Sequence, residues 1–305
     1  MKKYLDLGNR VIASIFILIT MSIIFMPQTR FFRDIQDYLV HIMLFLLLSG
    51  FIGLIINNRI VLFTSFGCAG IMALFLKNAS NENLKDPIRN EEINLSVAHI
   101  NLSMINSEDV LWSFVKDTSI ETIVLYEYTP DWDHILNDVS KKFKKYSFTD
   151  TRDDVFGKAI FSSLPILMID TIKSDMVPNY KFAIKKNDVV FNLYSAYITP
   201  ALNSISRQAS LNELNTLSEK IIQDLQYTIV SGEFNQVYWS FDIMNFRTIA
   251  NLENSRRNIN PSSLKMPYQH IFHSQDLECI HFNDIQESQT SIGCIGKYQL
   301  KKSHS

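Results

Sequence analysis

The sequence predicts an α+β protein in which transmembrane helices near the amino terminus precede a soluble domain of helices and strands. The first quarter of the 305-residue chain contains three long segments without charged residues. Short apolar strands and amphipathic helices then alternate through about 215 residues, which is enough for one domain with a large core. Residues 77–92, between the two parts, are polar, contain Pro87 and lack an apolar period, so they are interpreted as a linker.

The transmembrane part, residues 1–76, is predicted to contain helices over residues 11–27, 38–57 and 60–76. A bilayer core about 30 Å thick requires about 20 apolar residues in a helix, with about 17 as the lower limit, and each segment reaches that limit. The alternative for the first segment is a cleaved signal peptide, but the bulky, basic sequence FMPQTRFF that follows offers no small-residue cleavage site. Buried helices of a soluble protein are the alternative for the other two segments.

The charges that flank these segments predict their orientation. Lys2, Lys3 and Arg10 precede the first segment, and short cytoplasmic flanks of membrane proteins are enriched in such residues. Three crossings from a cytoplasmic amino terminus put the turn at residues 57–59 inside and the chain after Lys77 outside. The sequence therefore predicts a multi-pass membrane protein whose carboxyl-terminal domain lies outside the cytoplasm.

The composition of the soluble part limits its partners. Residues 91–305 contain 26 Asp and Glu against 20 Lys and Arg, a net charge of −6. A domain without a broad positive field is not expected to bind nucleic acid. The basic cluster at 141–145 falls where a helix is expected to end, where cations complement the helix dipole. No spacing of Cys and His is typical of a zinc site.

The secondary structure of this part is predicted from apolar periodicity and capping residues. Helices are expected after Ser107, over 131–144 and over 205–225. Strands are expected over 93–101, 121–127, 158–169, 189–198 and 227–235, followed by the three short strands YQHIFHS, LECIHFN and SIGCIGKYQL.

Six short motifs follow one another at the ends of these strands. They are AHIN (98–101), VLYEYTPDW (124–132), FGKAIFSSLPI (156–166), YSAYITPAL (194–202), SGEFNQVYWSF (231–241) and YQHIFHS (268–274). Together they resemble the endonuclease/exonuclease/phosphatase superfamily. The resemblance implies that residues 93–305 form a four-layer α/β/β/α sandwich, the deoxyribonuclease-like fold. It also implies a bacterial inner-membrane protein, because membrane-tethered bacterial members with an external domain are familiar in that family.

The resemblance implies a phosphoester site where the strands end. In the family a Mg²⁺ ion, which prefers carboxylate and amide oxygens, polarises the phosphoryl group, and an Asp–His pair holds the attacking water. Four catalytic and metal-binding positions are retained, with Mg²⁺ or Mn²⁺ as a weakly held cofactor: Asn101, Glu127, Glu233 and Asn235. Glu233 replaces the family's Asp and is one methylene longer, which displaces its carboxylate by about 1 Å and can reduce the rate about a hundredfold.

The other catalytic positions have lost their residue types. Tyr197 aligns with the phosphate-binding His, and Gln269 aligns with the Asp of D-H-I-F. The closing S-D-H motif aligns with SIG, so that Gly293 takes the position of the general-base His. His270 is a possible substitute base, although a lone His in such a strand is more often structural, and the same applies to His99.

Two functions remain compatible with this sequence. The first is a catalytically impaired pseudoenzyme with a hydrolase fold, acting as an extracytoplasmic binding or scaffolding module, and the missing Asp–His dyad favours it. The alternative is an active Mg²⁺-dependent phosphoesterase, either a phosphodiesterase or a phosphatase, with a rearranged general base. Besides the membrane, the expected partner is a phosphorylated small molecule, a lipid headgroup or another protein.

Two cysteines fall in what the fold implies are the last two strands, which are antiparallel neighbours. Cys279 and Cys294 form a disulfide only if they lie opposite each other, since the Cα separation must fit the bridge. Otherwise they are two buried thiols. The sequence does not fix the register, so both alternatives remain open.

Overall fold

The computed structural model describes residues 2–25, 29–81, 87–90, 94–143, 146–173, 177–224, 226–257, 266–288 and 290–301. The chain divides into two compact units. Unit 1 comprises Met1–Glu82, Gln236–Met244 and Asn258–Met266, and unit 2 comprises the remaining residues.

Unit 1 contains the apolar helices predicted from the sequence and one short helix that was not predicted. Its helices are α1 (Lys2–Phe25), α2 (Arg30–Gln36), α3 (Leu39–Ile55) and α4 (Arg59–Ala79). Two stretches, Leu7–Phe25 and Arg59–Ala79, are long and apolar enough to cross a membrane, whereas α3 is apolar but shorter. Because α4 continues to Ala79, the polar linker begins later than residue 77.

The helices α3 and α4 form a tight antiparallel hairpin. Gly53 allows this close approach, because an added Cβ would lie 2.9 Å from the backbone nitrogen of Leu62. Asn57 adopts a φ of 54° in the turn, and the Asn58 side chain caps α4 by accepting a hydrogen bond from Val61 N at 3.3 Å. The predicted turn at residues 57–59 is thus the sharp connection between these two helices.

Unit 2 is built on two six-stranded sheets. The first has the order β11-β12-β1-β2-β4-β3, and the second has the order β5-β6-β7-β8-β10-β9. The strands are β1 (Asn94–Asn101), β2 (Thr122–Tyr126), β3 (Tyr146–Asp150), β4 (Lys158–Ser162), β5 (Ile166–Ile172), β6 (Asn179–Lys186), β7 (Val189–Tyr197), β8 (Thr228–Glu233), β9 (Leu252–Asn254), β10 (Gln269–Ser274), β11 (Leu277–Glu287) and β12 (Thr290–Leu300).

Each sheet contains one parallel pair near its centre. Strand β1 pairs with β2 in the first sheet, and β7 pairs with β8 in the second, while the other pairings are antiparallel. The carboxyl ends of parallel neighbours lie at the same edge of a sheet. The residue that follows β1 therefore lies close to the one that follows β2, and the same holds for β7 and β8.

Two apolar layers hold the sheets and helices together. One layer lies between the sheets and includes Val124, Leu193 and Ile271, all fully buried. The other packs the first sheet against α5 (Glu108–Lys116) and α6 (Asp133–Lys142). Helix α7 (Ser204–Gln223) buries a stripe of its own, and α8 (Phe241–Ile249) follows β8. The mixed α/β class with two sheets is confirmed.

Three sequence predictions need correction. The strand predicted over 158–169 is two strands, β4 and β5, which belong to different sheets and are separated by residues 163–165. Strands β3 and β6 were not predicted at all. The disulfide alternative is also wrong, since Cys279 lies opposite Tyr298 while Cys294 lies opposite Asp284, and both thiols are buried and free.

Candidate functional site

The ends of β1 and β2 bring Asn101 and Glu127 into contact. The amide nitrogen of Asn101 donates a hydrogen bond to Glu127 Oε1 at 3.0 Å. The amide oxygen of Asn101 accepts hydrogen bonds from the backbone nitrogen and the hydroxyl of Ser103, at 3.0 and 2.9 Å. Asn101 is buried, so these bonds fix the direction of its amide. It therefore orients the Glu127 carboxylate, while its role as a metal ligand stays a prediction.

The backbone of Glu127 is unusual in a way that matters for its side chain. Its φ is 56°, in the left-handed region that residues with a Cβ seldom adopt. Such conformations cost about 1–3 kcal/mol and are found mostly where the surrounding structure requires them. The turn directs a half-buried carboxylate over the end of β2, beside Asn101.

The Glu233 carboxylate at the end of β8 is bound inward by His99. The distance from His99 Nε2 to Glu233 Oε1 is 2.9 Å, and His99 Nδ1 lies 3.1 Å from the Ser231 hydroxyl. The imidazole is fully buried and stacks on Tyr126 with ring centroids 4.2 Å apart. The additional methylene of Glu233 thus reaches a partner inside the protein.

Tyr197 ends β7 next to Asn235, which follows β8. Burial, together with the carboxylates of Glu127 and Glu233, raises the pKa of Tyr197 to about 12, and a hydrogen bond with the Asn235 side chain opposes this rise. Asn235 has a φ of 53°, and its amide nitrogen donates to Ile198 O at 2.8 Å. The phenol therefore remains a neutral hydroxyl close to both carboxylates at physiological pH.

A buried lysine lies behind Tyr197, on β4. Lys158 Nζ donates to Pro178 O at 2.7 Å and to Asn179 Oδ1 at 2.9 Å, and the same Asn179 oxygen accepts the backbone N–H of Tyr197 at 2.7 Å. Burial lowers the pKa of Lys158 to about 7, against the opposing effect of Asp150. Lys158 lies within FGKAIFSSLPI (156–166), but no pattern in the sequence distinguishes it.

The two halves of the expected dyad are filled by residues that cannot replace it. Gln269 lies opposite Glu233 in the β8–β10 register and accepts a hydrogen bond from the Ser291 hydroxyl at 3.3 Å. Gly293 lies opposite Ile100 in the centre of β12, and an added Cβ would be 1.9 Å from the carbonyl oxygen of His99. Any side chain at position 293 therefore requires β1 or β12 to move.

His270, the possible substitute base, lies on the other face of β10 from Gln269. It follows Gln269 in β10 and so points to the other face of the second sheet. There its ring packs against Phe234 and Phe272, with centroids 5.7 and 5.5 Å away. The suggestion that His270 is a substitute base is thus not supported by its position, and a different histidine reaches the cluster.

That histidine, His99, was discounted in the sequence. Its spacing of two residues from Asn101 put both on one strand face, which is the signal that identifies it. Among the described histidines, His99 is the one bonded to a site carboxylate, and both of its ring nitrogens are already engaged. The local chain therefore offers a buried Glu–His pair with no nitrogen directed to an attacking water.

The residues of this cluster can bind a divalent cation only through few protein ligands. Magnesium is commonly held by one or two carboxylates, with water and phosphate oxygens completing its shell. Glu127 satisfies that requirement with the oxygen that Asn101 does not bind, whereas Glu233 is held by His99. No group of three or more His, Cys, Asp or Glu in the described part of the chain is arranged to hold a metal. When bound at Glu127, such an ion supplies positive charge to a phosphoryl oxygen.

Comparison with solved structures identifies the fold of unit 2. An endonuclease/exonuclease/phosphatase from Beutenbergia cavernae matches 68% of this chain and 72% of its own, with 8% identity and a TM-score of 0.55. The domain has the endonuclease/exonuclease/phosphatase fold. A mannosyl-6-phosphatase from Bacteroides thetaiotaomicron has a TM-score of 0.52 at 17% identity, covering 68% of this chain and 100% of its own.

The same fold occurs in proteins with different roles. The catalytic domain of human Nocturnin matches 68% of this chain and 95% of its own, with 11% identity and a TM-score of 0.54. No family model matches the sequence, and no curated protein does. At these identities the endonuclease/exonuclease/phosphatase fold is shared, while the activity of this chain has to be inferred from its own site.

Proposed function

We propose that this protein is a membrane-anchored domain of the endonuclease/exonuclease/phosphatase fold that has lost efficient hydrolysis and acts as an extracytoplasmic binding or scaffolding module. The observation that carries the proposal is that the positions of the expected Asp–His dyad are occupied by residues that cannot act as a general base. Gly293 leaves no space for a side chain, Gln269 has no charge, and His99 is bound inward to Glu233. A positioned general base contributes typically about 10²–10⁴ in rate, and the described residues around Glu127 offer none.

The remaining cluster suits binding better than chemistry. Glu127 offers one carboxylate oxygen to a divalent cation, and the Tyr197 hydroxyl and the Asn235 amide supply neutral polar groups beside it. Such a set can hold a metal-bound phosphate without activating water. The proposed ligand class is a phosphorylated small molecule or a lipid headgroup, with a protein partner as the alternative for a scaffold.

A contact within unit 1 supports the proposed number of membrane crossings. Trp239 Nε1 donates to Gln36 O at 2.9 Å, and Phe241 N donates to Gln36 Oε1 at 3.0 Å. Segments in contact lie on the same side of a bilayer. Only α3 and α4 intervene among the described helices that are apolar enough to enter a membrane, so they cross together or not at all.

Since α3 and α4 cross together or not at all, α3 can be counted as a membrane crossing although it has only 17 residues. Because α4 is long and apolar enough to span, α3 is proposed to span with it, which gives three crossings when α1 is added. With Lys2, Lys3 and Arg10 on the cytoplasmic side, the domain lies outside the cytoplasm. The inner membrane of a bacterium is the proposed location.

Hydrolysis of generic phosphoesters tests the proposal. Full-length protein in detergent is incubated with p-nitrophenyl phosphate or bis(p-nitrophenyl) phosphate and excess Mg²⁺ or Mn²⁺. We expect rates near background, because losing the base and the phosphate-side His removes factors of about 10²–10⁴ and 10²–10³ that act together. Glu127→Ala serves as the matched control and should show the same rate as the unmodified protein.

The opposite result supports the second candidate function. Robust turnover that disappears in Glu127→Ala would show that the retained Glu127–Asn101 pair works with an unrecognised base, and that the protein is an active phosphoesterase. The specific observation in favour of this alternative is that Asn101 still orients Glu127 at 3.0 Å. Restoring the base by Gly293→His is not a usable test, because the backbone of His99 occupies the required space.

A further inference from the structure

A second polar recess lies at the other end of the first sheet. It encloses about 470 Å³ and is lined by Arg89, Asn90, Asn94, Glu121, Lys186 and Lys297, among others. Asn94 begins β1 and Asn101 ends it, so the recess and the Glu127 cluster are separated by seven residues of strand, about 23 Å. All these residues belong to unit 2.

The walls of this recess are tied together by hydrogen bonds. Asn90 N donates to Gln299 Oε1 at 3.0 Å, and Asn90 Nδ2 donates to Leu300 O at 3.1 Å. The Gln299 amide donates in turn to Ile88 O at 2.9 Å. These bonds hold the segment that carries Arg89 against β12, which carries Lys297.

The charges of the recess do not balance. Lys186 is paired with Glu121 at 2.6 Å and also donates to the carbonyl oxygen of Asn94. Arg89 and Lys297 have no ion-pair partner in the part of the chain that the structure describes. Among the described residues these two positive charges are therefore uncompensated, in a domain whose net charge is −6 from 26 acidic and 20 basic residues over 91–305.

Two residues that line the recess each have a buried acceptor without a donor. Asn90 Oδ1 and Asn94 Oδ1 are buried, and neither accepts a hydrogen bond from any described residue. A buried polar atom without a partner is costly, typically by an amount that water or a ligand removes on binding. The recess therefore has two positive charges for an anion and two oxygens for N–H or O–H donors.

We propose that this recess binds a phosphate monoester that carries hydroxyl groups, such as a polyol or sugar phosphate. A phosphate monoester has a charge of about −1.5 to −2 at neutral pH, which matches the two free cations, and an Arg fork suits its oxygens. The dianion of a phosphate monoester has no O–H on its phosphate group, so the hydroxyls of a polyol would supply the donors that the two amide oxygens lack. This site is separate from the Glu127 cluster and does not depend on the function proposed for it.

Calorimetric titration of the full-length protein in detergent tests the proposal, with glycerol 3-phosphate as the probe. We expect saturable binding that Lys297→Ala and Arg89→Ala each weaken at least tenfold. Inorganic phosphate should bind less tightly than glycerol 3-phosphate, and glycerol should not bind. A matched control, Lys185→Ala at an exposed position outside the recess, should leave the affinity unchanged. Glu127→Ala, in the other site, reports any binding there.

A further variant separates the anion from the hydroxyl contacts. Asn94→Leu should weaken glycerol 3-phosphate binding several-fold while inorganic phosphate binding stays the same. The proposal is overturned if glycerol 3-phosphate does not bind at millimolar concentration. It is equally overturned if binding is lost in Glu127→Ala and retained in Lys297→Ala, because the ligand would then occupy the Glu127 cluster.

Discussion

The buried Lys158 makes a quantitative prediction about stability and pH. Its pKa is lowered from 10.5 to about 7 by burial in the folded protein, so between these values the unfolded chain binds a proton that the folded chain does not. Stability therefore rises with pH through this window, and below about pH 7 the full penalty is present. At about 1.4 kcal/mol per pH unit the full penalty is roughly 5 kcal/mol.

The perturbation is Lys158→Met, which keeps the length of the side chain and removes its charge. By proton linkage, the lowered pKa of Lys158 reduces the stability of the folded protein by about 4 kcal/mol at pH 7 and by about 2 kcal/mol at pH 9. This loss of stability therefore changes by roughly 2 kcal/mol between the two pH values. The variant loses two hydrogen bonds, to Pro178 O and Asn179 Oδ1, each worth about 1 kcal/mol, and this loss does not depend on pH. From pH 7 to pH 9, the unfolding free energy of the unmodified protein should therefore increase by about 2 kcal/mol more than that of the variant.

Urea unfolding in detergent, followed by the fluorescence of Trp112 and Trp132, measures this difference at the two pH values. Lys185→Met, at an exposed position on β6 in the second sheet, is the control and should keep the pH dependence of the unmodified protein. If Lys158→Met and the unmodified protein change in parallel from pH 7 to pH 9, the ammonium is not penalised by burial and the reasoning fails.

Three further predictions concern the site and the apolar helices of unit 1. His99→Ala should lower the unfolding free energy by about 3–5 kcal/mol, because it leaves a buried carboxylate without its partner; an unchanged urea midpoint would contradict this. Gly293→Ala should cost at least about 1–3 kcal/mol, because its Cβ meets a carbonyl oxygen at 1.9 Å, while Gly67→Ala, with nothing within 4 Å, should be neutral; equal effects would refute the clash. A phosphatase reporter that works only outside the cytoplasm should be active when fused after Arg89 and inactive after Asn58; the reverse pattern would overturn the orientation.

The sequence alone determined the elements whose signals are local. The apolar segments became α1, α3 and α4, and most strand positions were correct within a few residues, because periodicity and charge spacing are read within one element. The order of motifs at strand ends was enough to predict the two-sheet fold. It also named Glu127 and Asn101, which do meet in the structure.

Only the tertiary structure decided what these residues contact. Register fixed Cys279 opposite Tyr298, and the two halves of one predicted strand lie in different sheets. Long-range packing brought His99 to Glu233, 134 residues away, and left no space for a side chain at Gly293. Such pairings depend on distances across two sheets, and no local pattern encodes them. The sequence therefore predicted the loss of the base, whereas only the structure supplied the steric reason why position 293 cannot hold a side chain.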